Sequence, residues 1–124
     1  MTAPLFDRVA FIGIGLIGSS IARVMRRDGL AGSIIACARS DETLNTALEL
    51  GIADEVTKDP AVAATGADLV MICTPVSTYG AIAAAISPSL KPGAIVTDVG
   101  SVKASAIKAV LPHLPEGVHF VPGH

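Results

Sequence analysis

Val9-Ala10-Phe11-Ile12-Gly13-Ile14-Gly15-Leu16-Ile17-Gly18-Ser19-Ser20-Ile21-Ala22 is the stretch that decides the fold of this 124-residue chain. Val9 to Ile12 is an uninterrupted apolar run stopped by Gly13, the pattern of a strand buried on both faces of a parallel sheet. From Leu16 the period changes. Ile17, Ile21, Val24 and Met25 recur at helical spacing and are expected to form the core-facing stripe of a helix. Arg23, Arg26 and Arg27 gather near its end, where the helix dipole favours cations, and Gly29 supplies a stop. Between strand and helix lies Gly13-Ile14-Gly15-Leu16-Ile17-Gly18, a G-x-G-x-x-G. Alone the pattern is common; between a strand and a helix it has the setting that dinucleotide binding requires. Gly13 allows the tight turn, Gly15 lets the backbone approach a pyrophosphate, and Gly18 lets the helix pack closely on the sheet. The free N–H groups across Ile14, Leu16 and Ile17 then face the anion. A glycine turn with no ligand is the plainer alternative.

The same alternation runs outward to both ends. Strands are expected at Ser33 to Ala38, Ala53 to Thr57, Leu69 to Cys73, Ala94 to Asp98 and Val118 to Val121. Helices are expected between them. One has Ser40 as N-cap, Asp41 and Glu42 in its first turn, and Leu44, Ala47 and Leu48 facing the core. Another takes one or two turns from Pro60, capped by Asp59, and a third runs from about Val76 to Ile86. The last places Ile107, Val110, Leu111 and Leu114 on one face. Short connections between alternating strands and helices specify right-handed βαβ units and a doubly wound, mostly parallel α/β sheet. Without a repeat, low-complexity segment or linker, residues 1–124 read as one domain.

Composition narrows the function. Nine Lys and Arg against eleven Asp and Glu, with 3% aromatics and no Trp, offer no basic or stacking surface for nucleic acid and no membrane footprint. Val9 to Ala22 is too short to span a bilayer and is broken by three glycines. Leu69 to Leu90 is interrupted by Pro75, Gly80 and Pro88. A soluble protein is therefore expected. Cys37 and Cys73 are too far apart for a C-x-x-C redox or metal motif. They read as two buried thiols in a reducing, cytoplasmic compartment.

Three further segments carry chemistry. A carboxylate about 20 residues past the last glycine normally holds the ribose 2′-OH of NAD. Here that position is Ala38, followed by Arg39-Ser40. An Arg and a hydroxyl accept a 2′-phosphate instead, which favours NADP over NAD. Stacking on adenine or facing solvent is the plainer alternative for Arg39, and Asp41 and Glu42 are explained by the helix's first turn. Thr74-Pro75-Val76 follows a strand at its carboxyl end, where ligands bind in open parallel sheets, though it is also an ordinary proline turn. Asp98-Val99-Gly100-Ser101-Val102-Lys103 places a carboxylate, a permissive glycine and a hydroxyl after the next strand. Ser101 is equally suited to capping the following helix. His124 would share that rim with Ser101, whereas His113 and His119 read as surface and strand residues.

Read in order, Val9 to Ala22, Leu50-Gly51-Ile52-Ala53-Asp54, Cys73-Thr74-Pro75-Val76, Asp98 to Lys103 and Pro122-Gly123-His124 resemble the prephenate/arogenate (cyclohexadienyl) dehydrogenase family. The resemblance covers nearly the whole chain. It implies a Rossmann domain and NAD(P)-dependent oxidative decarboxylation of prephenate or arogenate, a step towards tyrosine. It further implies that His124 accepts the hydrogen bond of the substrate's ring hydroxyl and that Ser101 orients His124. The glycine-rich loop, Thr74-Pro75-Val76, Asp98 and Gly100 would line the cofactor. Many members carry an acid where Ala38 stands. Members also continue past the Gly-His pair into an all-helical second domain that forms a homodimer and holds the substrate carboxylates. This chain is thus expected to be the nucleotide-binding portion of a longer enzyme, able to bind dinucleotide without turnover. Another dehydrogenase or reductase of similar fold, or a non-catalytic nucleotide sensor, is the alternative.

Overall fold

The computed structural model describes residues 4–99 and 103–122. Strand β1 (Phe6–Ile12) leads through the glycine turn into α1 (Gly15–Arg27), and β2 (Ala31–Cys37) into α2 (Asp41–Glu49). Then follow β3 (Glu55–Thr57), α3 (Pro60–Ala64) and β4 (Leu69–Ile72). A 3₁₀ turn over Val76–Thr78 opens α4 (Tyr79–Ile86), and β5 (Ile95–Asp98), α5 (Lys103–Val110) and β6 (His119–Val121) complete the order. The six strands form one sheet, β3-β2-β1-β4-β5-β6. Every pairing in it is parallel. Strand order reverses between β1 and β4, which creates the crevice where doubly wound sheets bind ligands.

The continuous apolar runs are explained by burial on both faces. Val9, Phe11, Ile34, Ala36 and Met71 pack towards Ala22 and Met25 of α1 and Ala47 of α2. Their neighbours Ala10, Ile12, Ile35, Val70 and Ile72 pack towards Ala63, Tyr79, Ala83, Ile86, Ala106 and Val110 of α3, α4 and α5. The caps are formed as expected. Ser40 Oγ accepts the Thr43 N–H at 3.0 Å, and Asp59 Oδ1 accepts the Ala61 N–H at 3.0 Å.

Several expected core positions differ. In α1 the buried residues are Gly18, Ala22 and Met25, while Ile17 and Val24 face solvent and Ile21 is half-buried. The helix lies so near the sheet that small residues take the contact stripe, displacing the larger apolar ones to its flanks. Leu48 is exposed beyond Leu44 and Ala47. Leu111 is exposed as well, because Pro112 ends the α-helix at Val110 and the chain turns through a 3₁₀ segment, Leu111–His113. Cys37 is buried as expected, but Cys73, one residue beyond β4, is only half-buried. Burial pushes the Cys37 thiol up to about 11, and burial together with the Asp98 carboxylate pushes Cys73 up to about 12. Both are therefore protonated, unreactive thiols at neutral pH. Among the described residues, no helix is long and apolar enough to cross a membrane.

Candidate nucleotide site

The glycine turn is shaped by its neighbours across the reversal in strand order. Gly13 has φ +78°, and a Cβ there would lie 2.7 Å from Thr74 Cγ2, so both conformation and space demand glycine. Its N–H donates to the Cys37 carbonyl at 2.8 Å, tying the turn to the end of β2. Gly18 sits over β4, where a Cβ would approach Cys73 Sγ to 3.2 Å. Gly15 differs from both: with φ +45°, a Cβ on it would meet nothing within 4 Å. Open space lies in front of the backbone just where α1 begins. No side chain caps that helix and no acid stands in its first turn. Its leading N–H groups are thus available to an anion. Ile14 is buried in the core, whereas Leu16 and Ile17 are 87% and 58% exposed beside the turn. The hydroxyls of Ser19 and Ser20 are turned back onto the carbonyls of Gly15 and Leu16 at 2.6 and 3.0 Å.

A cavity of about 470 Å³ opens at the carboxyl ends of β1, β2 and β4. Gly13, Arg39, Thr74 and Pro75, all singled out in the sequence, line it together with Ala38. Ile12, Pro60 and Ile82 give it apolar walls. Thr78 Oγ1 lies 2.6 Å from both Thr74 Oγ1 and the Pro75 carbonyl, fixing the proline turn on the cavity wall. Its size is that of a small-molecule site. Apolar walls suit a planar base, and no Asp or Glu is among the lining residues. The residues present fit the adenosine half of a dinucleotide, with the open backbone at Gly15 and the uncapped start of α1 next in line for phosphates. A smaller cavity of about 240 Å³ lies on the other side of the turn, between Ile14, Gly15 and Ser19 of one wall and Glu42 and Thr46 of α2.

Other expected residues are placed differently. Ser40 is not on the larger cavity's wall; its hydroxyl caps α2 and donates to Thr43 Oγ1 at 2.9 Å. Val76 follows Pro75 in the 3₁₀ turn and is half-buried against the core. Asp98 does not present its carboxylate on the open rim. It is 3% exposed, and the hydroxyl of Tyr79, itself fully buried, donates to Asp98 Oδ2 at 3.2 Å. Gly100, Ser101 and His124 lie outside the described residues.

Lys58 escaped the sequence reading. It follows β3, whose Thr57 is in register with Cys37 of β2, so it leaves the sheet beside Ala38 and Arg39 and lines the same cavity. Its Nζ lies 3.0 Å from Asp41 Oδ1, an acid that helix-dipole stabilisation alone had accounted for. The missing signal was the β2–β3 pairing, which the three-residue length of β3 left faint in the sequence.

Comparison with known proteins agrees with this geometry. A family model described as prephenate dehydrogenase, nucleotide-binding domain, matches residues 21–124. The chain is 40% identical over 120 residues to a cyclohexadienyl dehydrogenase of Zymomonas mobilis, covering 97% of this chain and 41% of that protein. Among solved structures it resembles prephenate dehydrogenase from A. aeolicus in complex with hydroxyphenyl propionate and NAD+, at a TM-score of 0.84 and 35% identity. That match covers 95% of this chain and 41% of the other. It also resembles Synechocystis arogenate dehydrogenase, at a TM-score of 0.83 and 32% identity, over 94% of this chain and 40% of the other. The chain thus spans about 41% of the length of such relatives.

Proposed function

Since the chain belongs to the prephenate dehydrogenase family through its nucleotide-binding domain, we propose that it is the dinucleotide-binding portion of an NAD(P)-dependent enzyme that oxidatively decarboxylates prephenate or arogenate. The family match over residues 21–124 carries this proposal. The glycine turn, the open backbone at Gly15 and the cavity at Arg39 support it independently. The Ala38-Arg39 pair favours NADP, because a guanidinium without a neighbouring acid on the cavity wall accepts a 2′-phosphate by charge-assisted hydrogen bonds. When bound, the nicotinamide supplies the acceptor for hydride from the ring carbon that bears the hydroxyl.

The protein's own part is to position and to move one proton. His124 takes the proton of the ring hydroxyl as general base, and Ser101 orients His124. Loss of CO₂ from the ring then leaves an aromatic product. These two roles rest on the family resemblance of Asp98 to Lys103 and Pro122 to His124. A second, all-helical domain would form the homodimer and hold the substrate carboxylates, and the free cysteines Cys37 and Cys73 suit a reducing cytoplasm. The test is the full-length protein supplied with prephenate or arogenate and each cofactor, followed by absorbance of the reduced nicotinamide. Turnover that is abolished by His124→Asn with dinucleotide affinity retained is the expected result. Tight dinucleotide binding with no turnover of either substrate would replace the enzyme by a nucleotide sensor.

A further inference from the structure

We infer that Lys58 is a second ligand for the 2′-phosphate of NADP, acting with Arg39 as a two-cation clamp that Asp41 holds in readiness. This deepens the proposed nucleotide-binding function and rests on it. The clamp follows from topology. β2 and β3 run parallel with Cys37 opposite Thr57, and the Ala38 N–H donates to the Thr57 carbonyl at 3.2 Å. Arg39 lies two residues past the end of β2 and Lys58 one residue past the end of β3, and both line the cavity. Among the described residues, Arg39 has no acidic partner. Lys58 has one, Asp41 at 3.0 Å, and that pair is solvated, with side chains 55% and 79% exposed. Such an exposed ion pair is marginal, and a dianionic phosphate facing two cations at the cavity wall displaces it. Asp41 then has two effects of opposite sign. It keeps Lys58 at the cavity when no ligand is present, and it competes with the phosphate for the ammonium. NAD offers no phosphate to either cation, so the clamp discriminates between the cofactors without altering the site for their shared parts.

Adenosine 2′,5′-bisphosphate and 5′-AMP isolate the inference, because they differ only by that phosphate. Both are titrated calorimetrically against the 124-residue chain, its Lys58→Ala, Lys58→Gln and Asp41→Asn variants, with NAD as reference. Each Lys58 variant is expected to weaken the bisphosphate roughly ten-fold or more, the scale of one charge-assisted hydrogen bond, with 5′-AMP and NAD changed less than about two-fold. Because the exposed Lys58–Asp41 pair is worth little as a positioning device, loss of the competing carboxylate dominates, and Asp41→Asn is expected to strengthen the bisphosphate and leave 5′-AMP unchanged. A bisphosphate affinity indifferent to Lys58, or equal losses for both probes, overturns the clamp while dinucleotide binding stands. Failure of the unaltered chain to bind NAD or either probe overturns the nucleotide-binding function itself. A thermal unfolding midpoint shared by the variants accompanies these readings, since Lys58 and Asp41 are surface residues.

Discussion

At the edge where the strands begin, acids are consumed by the backbone. Asp68 accepts the Arg8 N–H at 3.0 Å, returns its own N–H to the Arg8 carbonyl at 2.9 Å, and pairs with Lys91, closing the start of β4 against β1. Asp54 does the same for β3, accepting the Ile34 N–H at 2.8 Å and the Arg26 guanidinium at 2.6 Å. At the edge where the strands end, Gly13, Arg39, Lys58 and Thr74 are turned towards a cavity. The ordinary residue chemistry is shared, yet its use is opposite. Charge spent on strand starts fixes the sheet; the cations Arg39 and Lys58, just past the ends of β2 and β3, line a cavity instead. The acids record the difference. The Lys91 ammonium and the Arg8 N–H hold the Asp68 carboxyl below its usual range. For Asp54 burial works the other way, but Arg26 and the Ile34 N–H together outweigh it and lower its pKa as well.

Mutations should separate the core, the cavity rim and the starting edge. The largest effect belongs to the core, where Tyr79 is fully buried and bonded to Asp98. Tyr79→Ala should cost about 3–5 kcal/mol of folding stability in urea titrations, as for other large aromatic truncations. Tyr79→Phe keeps the ring and should cost about 1–3 kcal/mol by losing the hydrogen bond to the carboxyl group. On the rim the effect moves from stability to binding. Arg39→Ala should weaken NADP by about 1.5–3 kcal/mol in calorimetry, leave NAD nearly unchanged, and shift stability by less than about 0.5 kcal/mol. Ala38→Asp should reverse the preference by adding an acceptor for the 2′-OH and repelling the 2′-phosphate. Equal losses of NAD and NADP in Arg39→Ala would mean that Arg39 stacks on the adenine.

The smallest effect lies at the starting edge and depends on pH. Asp68→Asn should destabilise by about 1 kcal/mol near neutral pH, the scale of one hydrogen bond. Because the fold lowers this pKa, the contribution is present above the unfolded value of about 3.9 and is lost as pH falls through the folded one. Denaturation curves of the two proteins should therefore converge as the solution is acidified. A gap that persists at acid pH would mean that the Asp68 carboxylate is not what joins β4 to β1.

The sequence disclosed most of the architecture because each strand's apolar run and each helix's stop are local signals. Val9 to Ile12 and Leu69 to Ile72 are continuous because both faces are covered, and Ser40 and Asp59 cap their helices from adjacent positions. Signals that depend on distance were lost. The buried stripe of α1 differs from the periodic one because the helix packs closely on the sheet, Gly18 against Cys73, so that Gly18 and Ala22 are buried in place of Ile17 and Val24, and hydrophobic periodicity cannot weigh proximity. Tyr79 and Asp98 meet from 19 residues apart, so neither the burial of the acid nor its partner shows in local pattern. Lys58 comes beside Arg39 only through the pairing of β2 with β3. On the candidate site, Gly13, Arg39, Thr74 and Pro75 were legible as single residues, and the fold lines one cavity with them.

Amide hydrogen exchange of the 124-residue chain, with and without saturating NADP, tests the division between the two edges most directly. Protection should rise from Gly13 to Gly18, at Ala38 to Ser40 and at Thr74 and Val76, while the amides of Asp54 and Asp68 exchange as before. Protection centred on Asp54, Asp68 and the strand starts, with the glycine turn unchanged, would contradict the account.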